Sequence, residues 1–281
     1  MHQFDSGRGL KKMKKTALII TLILAFLVFP GTSFAQNLTS ERAYEDYQYN
    51  LTIYKNANSD FVNARNAYLA NKTLSLKEAA RQKLVVMLSA RDQLMAVYLT
   101  TIRTKISELS GLSPEDKNNI FGKIDPEVNF YTNHKAGYSN TDTLETLQNK
   151  NAESQTQYEN TTTLLVHEAL FDISLGQLAG LRIAHEEVFT TLTSLIDAGV
   201  ATGKLTRDPF VRWLTDIETT ERTLKENEAT AKTQIVKIYE ETYSFEGGYD
   251  RAIETLENSL GPIAQLNRFL TEVLNYIKAR Q

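Results

Sequence analysis

The stretch 164–196 restricts the fold more than any other part of the sequence. Its apolar residues recur at helical spacing in two rows. One row carries Leu164, Phe171, Leu175, Leu178, Phe189, Leu192 and Ile196; Val166, Leu170, Ile173, Leu181, Ala184, Val188 and Leu195 lie roughly opposite. A surface helix needs one apolar stripe, so a helix apolar on two sides is expected to be buried among others. The stretch reads as the central stave of a helical bundle.

Its surroundings read as helices able to pack on such a stave. Only 13 Gly and 5 Pro in 281 residues leave room for long helices. Over 40–71, Tyr47, Tyr54, Phe61 and Tyr68 recur every seven residues, which keeps one seam turned toward a partner helix. A short turn follows, and Ser75 with Glu78 has the pattern of a capping box opening a second helix. In that helix Leu88, Met95, Ile102 and Leu109 again repeat at seven. So short a turn implies an antiparallel hairpin. From 111 to 141 the chain reads as a broken connector. Gly111 is a stop, Ser113-Pro114-Glu115-Asp116 a restart, Asp125-Pro126 a second break and Gly137 a second stop.

The longest helical pattern begins at Thr141 or Asp142 and runs to about Asp197. Its polar first half, 144–163, either packs or projects. A loop at 198–207 precedes a helix starting at Asp208-Pro209, with Phe210, Ile217, Leu224, Ala231 and Ile238 at multiples of seven. Gly247-Gly248 is expected to turn the chain, and Gly261-Pro262 to kink the last helix. No strand-like alternation stands out. The expected class is all-α: an elongated bundle of long antiparallel coiled-coil-like helices, following an N-terminal signal segment. The expected organisation is a signal peptide at 1–35, a helical hairpin at 36–110 and a connector at 111–141. The central and C-terminal helices at 142–281 pack with the hairpin as one bundle.

The signal reading rests on Lys11, Lys12, Lys14 and Lys15, the apolar run 16–29, and Ser33-Phe34-Ala35 beyond it. That order of basic, apolar and small-residue regions is a secretory signal, shorter than the ~20 residues of a comfortable membrane span. It is either cleaved after Ala35 or kept as an N-terminal anchor. No cysteine is present, so neither a lipid-modified cysteine nor a disulfide is available. Removing residues 1–35, with five basic and one acidic side chains, leaves 26 basic and 33 acidic, net −7. A chain of that charge without a basic block lacks the footprint of a nucleic-acid binder.

Candidate chemistry is sparse. His167 and His185 share an azimuth but stand ~27 Å apart along one helix, too far to share a metal ion. Glu168, Asp172, Arg182 and Glu186 lie on the otherwise apolar central helix, where charges must be paired or reach water. Arg182 and Glu186 are spaced to pair along it. Arg91, on the seam of the second helix, is a cross-helix partner for Glu168 or Asp172. These five residues, Arg91, Glu168, Asp172, Arg182 and Glu186, form the one candidate cluster, a buried polar group expected to fix register. No catalytic residue, cofactor or metal is expected. Gly176 and Gly180, four apart inside a helix, point to close approach of a neighbour or a local break.

The functional expectation is an exported, non-enzymatic helical-bundle or coiled-coil protein at the cell surface or in the envelope, bacterial in its signal. It would work through protein–protein contacts as a scaffold, adaptor or chaperone-like clamp, with protein partners or self-association as a homo-oligomer. Nucleic acid is not expected as a partner, and the membrane only through an uncleaved N-terminal segment. Two alternatives stay open: a ligand-sensing bundle using the cluster around Arg182, and a membrane-active, pore-forming helical protein.

Overall fold

Side-chain caps decide where these helices begin. In the computed structural model, which describes residues 39–239 and 245–280, Thr39 caps α1 (Ser40–Asn71) by accepting from the Arg42 N–H. Thr73 caps α2 (Leu74–Glu108) by accepting from the Leu76 N–H. The cap of α2 is therefore Thr73 and not Ser75. Ser75 lies inside the first turn, and Glu78 pairs with Arg81 and Gln82 instead of reaching back. Two residues, Lys72 and Thr73, join the helices, and Lys72 takes a positive φ of 22° to reverse the chain. The expected signal segment lies outside the described residues.

The connector is less broken than its prolines imply. Ser113 caps α3 (Pro114–Ala136), which runs through Asp125-Pro126 and closes at Gly137. Ile120, Ile124, Glu127 and Tyr131 are all buried, so packing holds both sides of Pro126 and outweighs its missing hydrogen bond. Next come α4 (Leu144–Gln157), capped by Thr143, a π-turn at Tyr158–Thr162, and α5 (Thr163–Ala201). Thr163 donates both its N–H and its hydroxyl to the Tyr158 carbonyl five residues back, the spacing a π-turn provides. The polar half of this long helix packs rather than projects: Leu147 is fully buried against Val85 and Leu88.

The C-terminal third consists of α6 (Asp208–Tyr239), α7 (Phe245–Glu257) and α8 (Leu260–Lys278). Gly247 and Gly248 sit within α7, so the expected turn there is not found; the connection from α6 falls in 240–244, outside the described residues. The last interruption is a full break at Asn258–Ser259, just ahead of the expected kink, and Pro262 occupies the first turn of α8, where a missing N–H costs nothing. No strand occurs among the described residues. The main apolar core runs from Ala96 and Ile106 of α2 through α3 and α5 to Ile277 of α8, and takes in Phe210, Ile217, Leu224 and Ala231 at seven-residue spacing on α6; Val85, Leu88 and Leu147 form a smaller cluster between α2 and α4.

Helix α5 is covered differently along its length. In its first half it is enclosed: Gly111, between α2 and α3, lies directly on the backbone of Gly176 and Gly180, and Leu109 and Leu112 close over Gly176. That contact is the reason for the two helical glycines. Beyond Gly180 the cover ends. The expectation of a helix buried all round fails there: Leu181, Val188 and Leu195 are 42%, 48% and 43% exposed. The C-terminal helices pack on the face carrying His185, Leu192 and Ile196, which leaves the adjoining row in water.

Within the continuous helix Leu144–Ala201, one 18-residue window has a mean hydropathy of 1.3 and at most two charged residues, long and apolar enough to cross a membrane. The enclosure of the first half of α5 accounts for the same composition, because a buried core helix needs it too.

Candidate functional site

The five candidate residues fall into three separate groups. Arg91 does not meet Glu168 or Asp172. It turns to its neighbour Asp92, donating from Nε to Oδ1 at 3.0 Å, and from its Nη atoms to Asn151 Oδ1 (2.6 Å) and Tyr138 Oη (3.3 Å). Asp92 has no exposed surface and gathers three helices. Its Oδ2 accepts from His134 Nδ1 of α3 at 2.5 Å, and its Oδ1 accepts from Ser154 Oγ of α4 at 3.2 Å. Phe130 stacks on the imidazole at 5.4 Å, and Tyr138 meets it edge-on at 5.2 Å.

A second knot follows on the same α3–α4 seam, beside the π-turn. Glu127, 4% exposed, accepts from Thr162 Oγ1 at 2.7 Å and from Gln157 Nε2. Because Thr162 spends its proton on the carboxylate, Tyr131 is the donor in the 2.8 Å Tyr131–Thr162 bond. Burial pushes the Tyr131 hydroxyl up to about 12, against the opposing effect of the Thr162 bond, so it stays a neutral donor. Burying these groups is tolerable because each has partners; removing one partner leaves the others buried and unsatisfied.

The remaining candidates lie on α5. Glu168 pairs with Lys123 of α3 at 2.6 Å. Asp172, one turn on, is pushed up to about 7, first by burial and then by Glu168 and Asp116. Arg182 grips Glu228 of α6 through two bonds (2.8 and 3.2 Å), reaches Glu186 at 3.3 Å, and is only 14% exposed. Lys225 completes this ladder on Glu186 at 2.5 Å. The sequence spacing foresaw the Arg182–Glu186 contact but not Glu228, which carries the stronger geometry. His185 Nε2 donates to Asn267 Oδ1 of α8 at 2.7 Å, and His167 Nδ1 to the Thr163 carbonyl at 2.7 Å.

Asp92, Glu127 and His134 were missed in the sequence. Asp92 left one trace, a charge four residues after Leu88 and three before Met95, inside the seam of α2. Glu127 and His134 left none, since only the packing of α3 on α4 makes them internal. An imidazole aligned by a buried carboxylate is the geometry of a general base. Its Nε2, however, is buried without a hydrogen-bond partner, with Glu153 at 3.8 Å, so no described hydroxyl is placed for it to activate. Among the described residues no group of three or more His, Asp or Glu is set to hold a metal ion. The networks tie α2, α3, α4 and the π-turn into fixed register.

The feature that faces outward is on α5. Leu181, Val188 and Leu195 form one row at seven-residue spacing; Ala184, Thr191 and Ala198, all exposed, form a second. The hydroxyls among and around them are bonded back to their own helix. Thr190, Thr191 and Ser194 donate to the carbonyls of Glu186, Glu187 and Thr190 at 2.8, 2.9 and 3.0 Å. Back-bonded in this way they leave no free donor on the face.

These features define an all-α protein with buried polar locks and, on α5, a bare apolar helix face. No protein-family model, curated protein or solved structure matches the chain.

Proposed function

We propose that the protein works by binding other polypeptides, as an exported, non-enzymatic helical-bundle scaffold or adaptor at the cell surface or in the envelope. The observation that carries this reading is the exposed double row on α5. Contiguous apolar surface, with its neighbouring hydroxyls already satisfied, is inexpensive to take out of water and marks contact surfaces. The ion pairs of Arg182 with Glu228 and of Lys225 with Glu186 support the same reading, since they tie the helix carrying that face to α6. The ligand-sensing alternative is the weaker one: Arg182 already spends its donors on Glu228 and Glu186. A photo-crosslinking residue at position 188 of the full chain in its native cell tests the proposal, alongside fractionation. Discrete adducts with polypeptide, in an extracytoplasmic fraction and lost when Leu181 and Leu195 are changed to Glu, are expected. The same pattern with and without those changes would overturn it.

A further inference from the structure

The bare face of α5 has an internal symmetry. Its large row reads Leu181, Val188, Leu195 and its small row Ala184, Thr191, Ala198, all within a ~100° arc of one helix. When two helices pack antiparallel on such a seam, a residue of one row meets a residue of the other row. In a single register every large residue then meets a small one. Leu181 faces Ala198 of the second copy, Ala184 faces its Leu195, and Val188 faces its Thr191. The remaining three layers repeat these by the two-fold axis. A face complementary to itself about a two-fold axis is the requirement of an isologous dimer, and large-on-small layers let two helices approach closely.

We infer that the occupant of this face is a second copy of the chain, docked antiparallel through α5 with the axis between Val188 and Thr191. The inference rests on reading the face as a contact surface and names its partner. The six layers span ~26 Å of helix. That is one narrow seam, smaller than the ~800 Å² per partner of a standard interface. The dimer is therefore weak and concentration-dependent, with a dissociation constant of about 10–100 µM. Glu187, exposed beside the seam, approaches its own symmetry mate, so added salt tightens the association, opposite to a dimer held by ion pairs.

Sedimentation equilibrium of the purified full chain across that concentration range tests this. The expected result is a monomer–dimer equilibrium, weakened at least ~10-fold by Val188→Glu, which puts a charge into the seam, with the circular dichroism spectrum unchanged. Because the chain has no cysteine, a mixture of Val188→Cys and Thr191→Cys chains reads the register directly. It should give several times more disulfide-linked dimer than either variant alone. A monomer at every concentration, a dimer indifferent to Val188→Glu, or cross-linking no stronger in the mixture would overturn the inference. So would binding of the purified monomer to phosphatidylcholine vesicles that Val188→Glu abolishes, which would assign the face to lipid. Failure here leaves the broader reading separately tested, because adducts of position 188 with a different polypeptide would sustain it.

Discussion

Changing Gly111 to Ala adds one methyl group at the point where the α2–α3 junction touches α5. A Cβ there would lie 2.1 Å from the Gly176 carbonyl oxygen, 2.3 Å from the Gly180 nitrogen and 2.9 Å from the Ala179 carbonyl carbon. A carbon and an oxygen need ~3.3 Å. All three obstacles are helix backbone, so the junction must retreat by about 1 Å. Leu109 and Leu112, 7% and 5% exposed, retreat with it. A gap of that size forfeits a quarter to a half of each contact's attraction. The loss is about 3 kcal/mol, the upper end for overpacking, because no side chain can turn aside. For a chain of this size that lowers Tm by about 6–12 °C. Gly122→Ala is the same chemical change inside α3 with nothing within 4 Å of the new methyl. It should gain ~1 kcal/mol from helix propensity and raise Tm by about 2–4 °C. Differential scanning calorimetry of both variants reads the two signs. A Gly111→Ala protein as stable as the parent would refute the close approach and remove the reason given for Gly176 and Gly180.

Two further perturbations probe the buried charges. Asp92→Ala leaves the Arg91 guanidinium and the His134 N–H without their carboxylate and should cost about 3–5 kcal/mol in urea denaturation. Arg91→Ala, which leaves Asp92 with His134 and Ser154, should cost less; an unchanged midpoint for Arg91→Ala would mean the network is not holding the helices. The Asp172 carboxyl is raised by folding, so ionising it opposes the folded state. The penalty starts as pH rises above ~4, the unfolded value, and is complete above about 7. Asp172→Asn should therefore stabilise the protein at pH 8 by ~2 kcal/mol, about half the full linkage value because the carboxyl still touches water. The gain should fade between pH 7 and 4 and vanish below; a gain independent of pH would contradict the assignment.

The fold class was legible because seven-residue repeats and caps are local. Tyr47 to Tyr68, Leu88 to Leu109 and Phe210 to Ala231 each announce a helix from spacing alone, and Ser113-Pro114 announces its own start. Errors arose wherever distant contacts outvoted a local signal. Pro126 reads as a break, yet burial on both sides carries α3 through it. Gly247-Gly248 reads as a turn, yet both lie in α7. The π-turn at Tyr158–Thr162 has no local signature, and with it went the knot of Glu127, Tyr131 and Thr162.

The candidate cluster shows the same boundary. Arg182 with Glu186 was readable, since both lie on one helix four residues apart. Arg91 meets Asp92, Asn151 and Tyr138 instead of Glu168 or Asp172, because a seam position says that a side chain faces a neighbour without saying which neighbour. Asp92, His134 and Ser154 come from three helices, and only their packing brings them within hydrogen-bond reach.

By itself, then, the sequence determined that the chain is helical, where most helices start, and that 164–196 carries apolar residues on two sides. Periodicity within one helix is enough for that. Tertiary structure alone decided which of those sides is covered. Gly111 seals the first half of α5, the last three helices pack on one face of the second half, and the row from Leu181 to Ala198 is left bare. Coverage depends on where other segments end in space, and no spacing along one helix encodes it.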